Sequence, residues 1–468
     1  MKNKKILNNI LGIVISNIIK LVSGIAIAFL IPKILSIGNY GYYKLFVLYL
    51  TYAGLFNFGF IDGIYLKYGG CDYNTLDKDI FKLFFKYLAL FIILVSFALF
   101  FIAFFVLEPN LRLILILLAT NLLSVHITGY FQIISQITSR FKEYSVRTII
   151  IAITNLLITL VVFLFNIDNF VYYILMIIFV NYAISLWYIF TYKDIVFGKK
   201  TSLRSNKILL SSITMLGMPL LFSNLATTIA INIDKQLVDL LFDIEEFALY
   251  SFAYSMLSMI TVVVSAVGIV LYPTLKRTSL DNSAKNYTLL NKIVIATVLI
   301  GLIGYFPLAY FIPTFLPNYI GAIPIFRIAL PGLVFTSAIS IVKHNFFKLY
   351  NKNVQYLIIS VIAIVVNIFL NLSAYYIFGT LVSISISSVI GLSIWYLVTE
   401  YQMKIIHNIQ WGKNLFFAIL GIVCFYATSS IGNLFLAVAI YLAFIIILFY
   451  SFDRKEINAL FARYFRKN

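Results

Sequence analysis

One lysine stands in the middle of a long apolar stretch near the start of the chain. Lys20 belongs to a stretch running from about residue 9 to residue 32, and it lies about eleven residues, or roughly 17 Å of helix, from the start of that stretch. A lysine at the bilayer centre costs about 2.5–3.5 kcal/mol, so it should face the interior of a helix bundle. We predict that Lys20 binds an anionic group of a ligand. An internal ion pair and a snorkelling side chain are the alternatives.

Three further side chains are candidates for binding the same substrate. Arg327 is a second cation inside an apolar stretch, and it would either hold an anion or anchor its helix at the lipid headgroups. Asn17 and Asn224 are amides inside apolar stretches and suit a ligand rich in hydroxyl groups. Asparagines in membrane helices also hydrogen-bond to neighbouring helices, which is the alternative for each of them. The same two interpretations apply to Asn155, Asn181, Asn367 and Asn371.

Four titratable side chains are candidates for gating or ion coupling. Asp62 closes the second apolar stretch and is either a cytoplasmic gate carboxylate or a helix end in water. Asp234 and Lys235 lie near the outer end of the seventh stretch, where they form a gate, bind a coupling cation, or mark the interface. His126 can relay protons near neutral pH, or it can make an interhelical hydrogen bond. The sequence indicates no catalytic residues, metal site or cofactor; a H⁺ or Na⁺ gradient is the candidate driving force.

Long apolar stretches must supply the elements that position these side chains. Hydrophobic residues make up 62% of the 468 residues and charged residues 11%, against about 45–50% and about 25% in a soluble domain. A bilayer core of roughly 30 Å needs about 20 apolar helical residues. The chain is therefore predicted to be an all-α polytopic membrane protein with about 14 transmembrane helices. The predicted spans are 9–32, 42–65, 81–107, 111–137, 146–166, 170–191, 213–240, 247–271, 289–311, 322–343, 355–377, 380–400, 413–431 and 433–452.

The basic residues are sorted between alternate gaps. The gaps between spans lie alternately on the two sides of the membrane. Apart from Lys20, nearly all of the 35 Lys and Arg residues fall on one side. The other side has only Lys33, Lys44, Arg112, Lys235 and Arg327. Cytoplasmic loops keep an excess of Lys and Arg, so both termini are predicted to be cytoplasmic in a multi-pass protein of the bacterial plasma (inner) membrane. The net charge of +18 then reflects contact with anionic membrane lipids, and no nucleic-acid partner is expected. Lys343 would face the inner mouth, where it attracts an anionic headgroup or only follows the same charge rule.

A weak repeat divides the chain. Ser16-Asn17 recurs 207 residues later as Ser223-Asn224, and Tyr43 has its counterpart in Tyr250 at the same offset. Six spans separate the copies, which predicts two parallel six-helix halves plus a C-terminal helix pair, an arrangement found in transporters. Chance matches in a biased sequence are the alternative. The predicted domains are residues 1–206, 207–400, and 401–468 with a basic cytoplasmic tail.

Local motifs give the chain a family resemblance. They are the stretches Gly38–Tyr43, Phe58–Gly63, Asn232–Lys235, Phe247–Ser251 and Tyr272–Pro273. With its fourteen-span layout, the chain resembles polysaccharide-unit flippases for O-antigen and capsule, a family of the multidrug/oligosaccharidyl-lipid/polysaccharide exporter superfamily. It departs from the family at Ala248-Leu249, where relatives often carry glycine before the tyrosine, and this difference concerns helix packing.

The resemblance implies a function without covalent chemistry. Two halves of an inverted-V bundle would alternate between inward and outward opening. They would move an undecaprenyl-diphosphate-linked oligosaccharide to the outer leaflet while its polyprenyl tail stays in lipid. The substrate's polar groups require cationic and hydrogen-bonding partners in a wet cavity. With this substrate, the anionic group that Lys20 contacts would be the diphosphate or a sugar acid. Polysaccharide polymerase and chain-length proteins are further partners that the resemblance implies.

Three alternatives remain open. A drug/cation antiporter of the same superfamily should have an acidic cavity, whereas the deepest charge here is Lys20. A lipid II flippase should show several cavity arginines, and the chain offers chiefly one lysine and one arginine at depth. A membrane enzyme of polysaccharide assembly should carry a long outer loop with catalytic residues, and the sequence has no such loop.

Overall fold

Helices supply all regular secondary structure in the part of the chain that the computed structural model describes. The described backbone covers residues 2–197, 206–275, 283–350, 352–407 and 412–465. The prediction of an all-helical membrane protein is confirmed for these residues. Contacts divide the chain into two units. Unit 1 comprises Met1–Thr228 and Phe242–Ala248, and unit 2 comprises Ile229–Leu241 and Leu249–Asn468.

Unit 1 consists of eight helices and most of a ninth. They are α1 (Lys2–Ile34), α2 (Ile37–Thr51), α3 (Phe60–Tyr68), α4 (Lys78–Ala103), α5 (Pro109–Ile137), α6 (Phe141–Leu164), α7 (Phe170–Thr191), α8 (Lys193–Val196) and α9 (Lys207–Leu241). Polar side chains begin three of these helices by accepting backbone N–H groups: Asp77 before α4, Glu108 before α5 and Asn169 before α7. Such caps satisfy donors that the first helical turn leaves unpaired.

Unit 2 begins with the end of α9 and contains most of α10, whose first residues belong to unit 1, and nine further helices. They are α10 (Ile244–Leu275), α11 (Ser283–Gly301), α12 (Tyr305–Phe315), α13 (Ala322–Ala329), α14 (Gly332–Ser337), α15 (His344–Leu349), α16 (Asn353–Phe378), α17 (Leu381–His407), α18 (Lys413–Thr428) and α19 (Leu434–Phe465). A π-helical segment, Ala338–Lys343, joins α14 to α15. The C-terminal pair packs on unit 2 through buried contacts; for example, the Tyr441 hydroxyl donates to the Leu299 carbonyl at 2.8 Å.

The number of membrane spans is established in part. Among the described residues, nine helices are long and apolar enough to cross a membrane, or up to eleven if each of two bent pairs is one span. Three other predicted spans coincide with α10, α18 and α19. Side chains of α10 from residue 262 onward lie outside the described residues, and the apolar parts of α18 and α19 are shorter. The total of fourteen stays a prediction.

The second span is broken, whereas the sequence predicted a continuous span over residues 42–65. A 3₁₀ segment, Ala53–Asn57, follows α2, and the chain bends by 60° before α3. Phe58 and Gly59 have φ values of 50° and 79°, in the left-handed region that glycine tolerates best. A Cβ on Gly59 would meet the backbone of Gly217 in α9 at 2.7 Å. The break therefore lets α3 and α9 pack backbone against backbone.

The tenth span is also bent, and it ends later than predicted. The sequence predicted one span over residues 322–343, but α13 meets the helical stretch Gly332–Leu349 at an angle of 44°. Pro331 stands at the junction and has no N–H to continue the helical ladder. Lys343 is the last residue of the π-helical segment that follows α14.

Helix ends repeat at the offset seen in the sequence. Helix α1 ends at Ile34 and α2 begins at Ile37, while α9 ends at Leu241 and α10 begins at Ile244. Each position in the second pair lies 207 residues after its counterpart. The break between the first two helices of each predicted half therefore falls at an equivalent place.

Candidate functional site

Lys20 lies on an exposed face of α1, roughly opposite a second face that is exposed and apolar. Its side chain is exposed, and so are Ile15, Ile18 and Val22, at 51%, 55% and 58%. At about 100° per residue, these three apolar side chains project from the side of the helix roughly opposite Lys20. An exposed apolar face suits lipid, whereas an intramembrane lysine avoids it. Lys20 therefore projects away from the exposed apolar side chains of its helix.

Asn17 shares the helix face of Lys20, because a spacing of three residues returns to the same side. It is partly buried, while the preceding Ser16 is fully buried. Its counterpart Asn224, on α9, is exposed beside the buried Ser223. In both copies of the repeat the serine packs inward and the asparagine is the more accessible residue. These amides are available to a ligand, and their predicted roles in binding substrate remain predictions.

The broken second span accounts for two of the gating candidates in unit 1. His126 is 3% exposed, and its Nε2 donates to the carbonyl of Ala53 at 3.0 Å. Ala53 opens the 3₁₀ segment, so the histidine satisfies a backbone acceptor at the helix break. Asp62 lies in the first turn of α3, where the helix dipole favours a carboxylate. It therefore begins the second half of the broken span, rather than closing a continuous one.

Asp234 and Lys235 belong to a buried polar cluster in unit 2. Asp234 is 3% exposed and accepts hydrogen bonds from the Tyr250 hydroxyl at 2.9 Å, from the Tyr254 hydroxyl, and from the Lys235 backbone N–H at 2.8 Å. Three donors on one carboxylate suit its charged form. The Lys235 ammonium turns elsewhere: it donates to the Asn232 side chain at 2.8 Å and lies 4.5 Å from the Tyr254 ring centroid.

Arg327 binds the end of a neighbouring helix. Its Nε donates to the Ser429 hydroxyl at 2.8 Å, and its Nη2 donates to the Tyr426 carbonyl at 3.2 Å and to the Ser430 hydroxyl. These groups form the C-terminal end of α18, where unpaired carbonyls favour a cation. The structure thus gives the Arg327 guanidinium protein partners within unit 2, and its predicted contact with substrate remains a prediction.

Several other amides predicted as cavity candidates join helices instead. In unit 1 the Asn181 amide donates to Asn121 at 3.1 Å and connects α7 to α5. In unit 2 the buried Asn371 donates to Asn367 at 3.0 Å and accepts from Ser388 at 3.0 Å, which connects α16 to α17. Such bonds satisfy polar groups inside a membrane protein.

Sequence reasoning missed a buried ion pair in unit 2. The Lys343 ammonium, which is fully buried, lies 3.0 Å from the Glu400 carboxylate and donates to the Tyr396 carbonyl at 2.8 Å. Glu400 also accepts from the Tyr287 hydroxyl at 2.6 Å. Of the two interpretations given for Lys343, the headgroup contact is contradicted, because the ammonium is buried among protein partners. The sequence offered only a weak signal, an acidic residue in the last predicted turn of the twelfth span.

The structure thus brings some predicted residues together and separates others. Lys20 and Asn17 share one face of α1, and Asp234 and Lys235 belong to one cluster. Asp62 and His126 are both associated with the broken second span. The hydrogen bonds given above for Arg327 go to the end of α18 and not to the Asp234 cluster.

Comparison with protein families shows which family the chain belongs to. Residues 3–279 match the family described as polysaccharide biosynthesis protein, which is more than half of the chain. No curated protein sequence matches it.

Solved structures show the same fold at low sequence identity. A lipid II flippase MurJ in an inward closed conformation has a TM-score of 0.73 at 13% identity, covering 96% of this chain and 100% of that one. A MOP superfamily transporter from Pyrococcus furiosus has a TM-score of 0.57 at 14% identity, covering 89% and 96%. An outward-facing multidrug resistance MATE family transporter has a TM-score of 0.55 at 12% identity, covering 85% and 95%. This multi-pass membrane protein therefore has the fold of MOP superfamily transporters and belongs to the polysaccharide biosynthesis protein family.

Proposed function

We propose that this protein moves lipid-linked oligosaccharide repeat units from the inner to the outer leaflet of the bacterial plasma membrane, for assembly of a surface polysaccharide such as O-antigen or capsule. The carrier is undecaprenyl diphosphate. Family membership supports a role in polysaccharide synthesis. The fold supports transport, since it is shared with a flippase for another lipid-linked substrate.

The observation that carries the proposal is the position of Lys20. A diphosphate and several hydroxyl groups lose their water on entering hydrocarbon, and this cost must be offset by cationic and hydrogen-bonding groups. Lys20 is exposed on the side of α1 away from the apolar Ile18 and Val22, with Asn17 beside it. One cation and one amide on the same face suit an anionic, hydroxyl-bearing headgroup.

The internal repeat supports the mechanism of the proposal. The equivalent helix ends near Ile34 and Leu241 fit two parallel six-helix halves that alternate between inward and outward opening. Both termini are cytoplasmic in this scheme, and no bond of the substrate is made or broken, so the protein is not an enzyme. Asp234 couples movement to a H⁺ or Na⁺ gradient, because a buried carboxylate is the group that either cation would neutralise.

The test is the leaflet location of lipid-linked oligosaccharide in cells that lack the protein. The cells are re-supplied with wild type, Lys20→Met or Arg327→Met at equal membrane abundance. Lys33→Met is the matched control, since Lys33 is an exposed lysine near the end of the same helix. We expect build-up on the inner leaflet that wild type and Lys33→Met relieve and Lys20→Met does not.

The outcomes separate the parts of the proposal. Relief by Lys20→Met would keep the flippase and discard Lys20 as its anion site. If Arg327→Met does not relieve the build-up while α18 stays protected from proteolysis, Arg327 binds substrate in addition to holding the end of α18. No build-up in the deficient cells would overturn the flippase, and drug-efflux assays would then test the antiporter alternative.

A further inference from the structure

Helix α4 carries a row of lysines on one side. Lys78, Lys82 and Lys86 follow one another at intervals of four residues, so they lie along one face. Lys86 is exposed, and no acidic side chain among the described residues forms an ion pair with it. Lys78 differs in this respect, because it pairs with Asp194. Within the described part of the chain, Lys86 is therefore a cation without a counter-ion.

The same side of α4 continues into a crevice of about 300 Å³ in unit 1. Its walls come from α4, α5 and α7. The lining residues are Ile93, Ser96, Phe97, Phe100, Ala119, Thr120, Leu123 and Tyr182. At about 100° per residue, the four lining residues of α4 fall within roughly the same 100° arc as the three lysines. The crevice and the lysine row therefore share one face of the helix.

The depth of these groups matches the layers of a bilayer. Helix α4 has 26 residues, or about 39 Å, so roughly 9 Å of it exceeds a hydrocarbon core of about 30 Å. Lys86 lies about 12 Å from Lys78 along the axis, which places it near the edge of the hydrocarbon. The crevice begins about 10 Å beyond Lys86, at Ile93, and ends about 21 Å beyond it, at Phe100.

Exposed apolar side chains show that this face meets lipid. Leu94 and Phe97 are 67% and 68% exposed, and they stand beside the crevice along α4. A lysine at the edge of such a surface extends its ammonium toward the headgroups. There it attracts negative charge, because each basic residue near an anionic leaflet contributes about 1 kcal/mol.

We propose that one anionic phospholipid binds on this face of unit 1, with its net negative headgroup at Lys86 and one acyl chain in the crevice. Lys86 complements the charged headgroup of such a lipid. The crevice, which begins about 10 Å beyond Lys86 along α4, complements its acyl chain. The site is separate from the face of α1 that bears Lys20 and does not depend on the proposed transport function.

The test is native mass spectrometry of the purified protein with phosphatidylglycerol or phosphatidylcholine of equal chain length. Wild type should retain one phosphatidylglycerol in preference to phosphatidylcholine. Lys86→Gln should lower phosphatidylglycerol retention about fivefold and leave phosphatidylcholine unchanged. Phe97→Ala should lower retention of both lipids, because it removes a wall of the crevice.

Two control variants make the result specific. Lys67→Gln removes another exposed lysine, and Phe179→Ala removes another exposed lipid-facing aromatic side chain. Neither residue lines the crevice, so both variants should retain lipid as wild type does. Equal retention of the two lipids by wild type, or equal losses in Lys86→Gln and Lys67→Gln, would overturn the proposal. A helix content equal to that of wild type, measured by circular dichroism, excludes misfolding as the cause.

Discussion

Replacing Lys343 by methionine should strongly destabilise unit 2. The Lys343 side chain is 0% exposed and the Glu400 side chain 5% exposed. In the variant, Glu400 keeps the Tyr287 hydroxyl as a donor but loses its positive partner. Removing one member of a buried ion pair typically costs about 3–5 kcal/mol, because the other charge stays buried without compensation.

The double variant Lys343→Met/Glu400→Gln separates this effect from a simple packing loss. Glutamine still offers a carbonyl oxygen to the Tyr287 hydroxyl, and the variant buries no unpaired charge. Replacing both charges of a buried pair is often neutral. We therefore expect the double variant to lose less free energy of unfolding than Lys343→Met alone.

The assay is equilibrium unfolding in mixed micelles of dodecylmaltoside and sodium dodecyl sulfate, followed by circular dichroism. Lys352→Met is the matched control, because Lys352 is an exposed lysine at the N-terminal end of α16. It should change the free energy of unfolding by less than about 0.5 kcal/mol. A similarly small loss for Lys343→Met, or a double variant that loses at least as much as Lys343→Met alone, would refute the reasoning.

Two further outcomes are expected. Gly217→Ala should lower the thermal stability by an amount corresponding to about 1–3 kcal/mol, because the added Cβ would overlap the Gly59 backbone. Gly24→Ala is the control and should not lower the thermal stability, because a Cβ at Gly24 meets nothing within 4 Å. Partial burial raises the pKa of the Asp194 carboxyl, but hydrogen bonds from Lys78 and Tyr73 outweigh this effect and hold the pKa below its ordinary value. The contribution of Asp194 to stability should therefore be complete above about pH 4 and disappear as the pH falls through the lowered pKa. Thermal unfolding of wild type and Asp194→Asn between pH 7 and pH 3 checks this: the stability difference between them should shrink on acidification, and a constant difference would contradict the assignment.

The sequence alone was sufficient for the class of protein and for the family. A membrane helix is recognised from the apolar composition of one continuous segment, so it can be predicted without knowing which helices pack against it. Motifs such as Phe58–Gly63 and Asn232–Lys235 are also local, and they pointed to the family that the comparison established. The repeat offset was visible in Ser16-Asn17 and Ser223-Asn224 before the helix ends were known.

Tertiary structure alone decided where helices break and which polar side chains meet. Where the second span bends, the backbone of Gly59 meets that of Gly217, which lies far along the chain. Arg327 finds Ser429 across 102 residues of sequence. Inside a membrane the backbone polar groups must be satisfied within the protein, and partly buried side chains such as Arg327 find partners there too. Those partners are chosen by the three-dimensional packing of helices, which no local pattern of residues records.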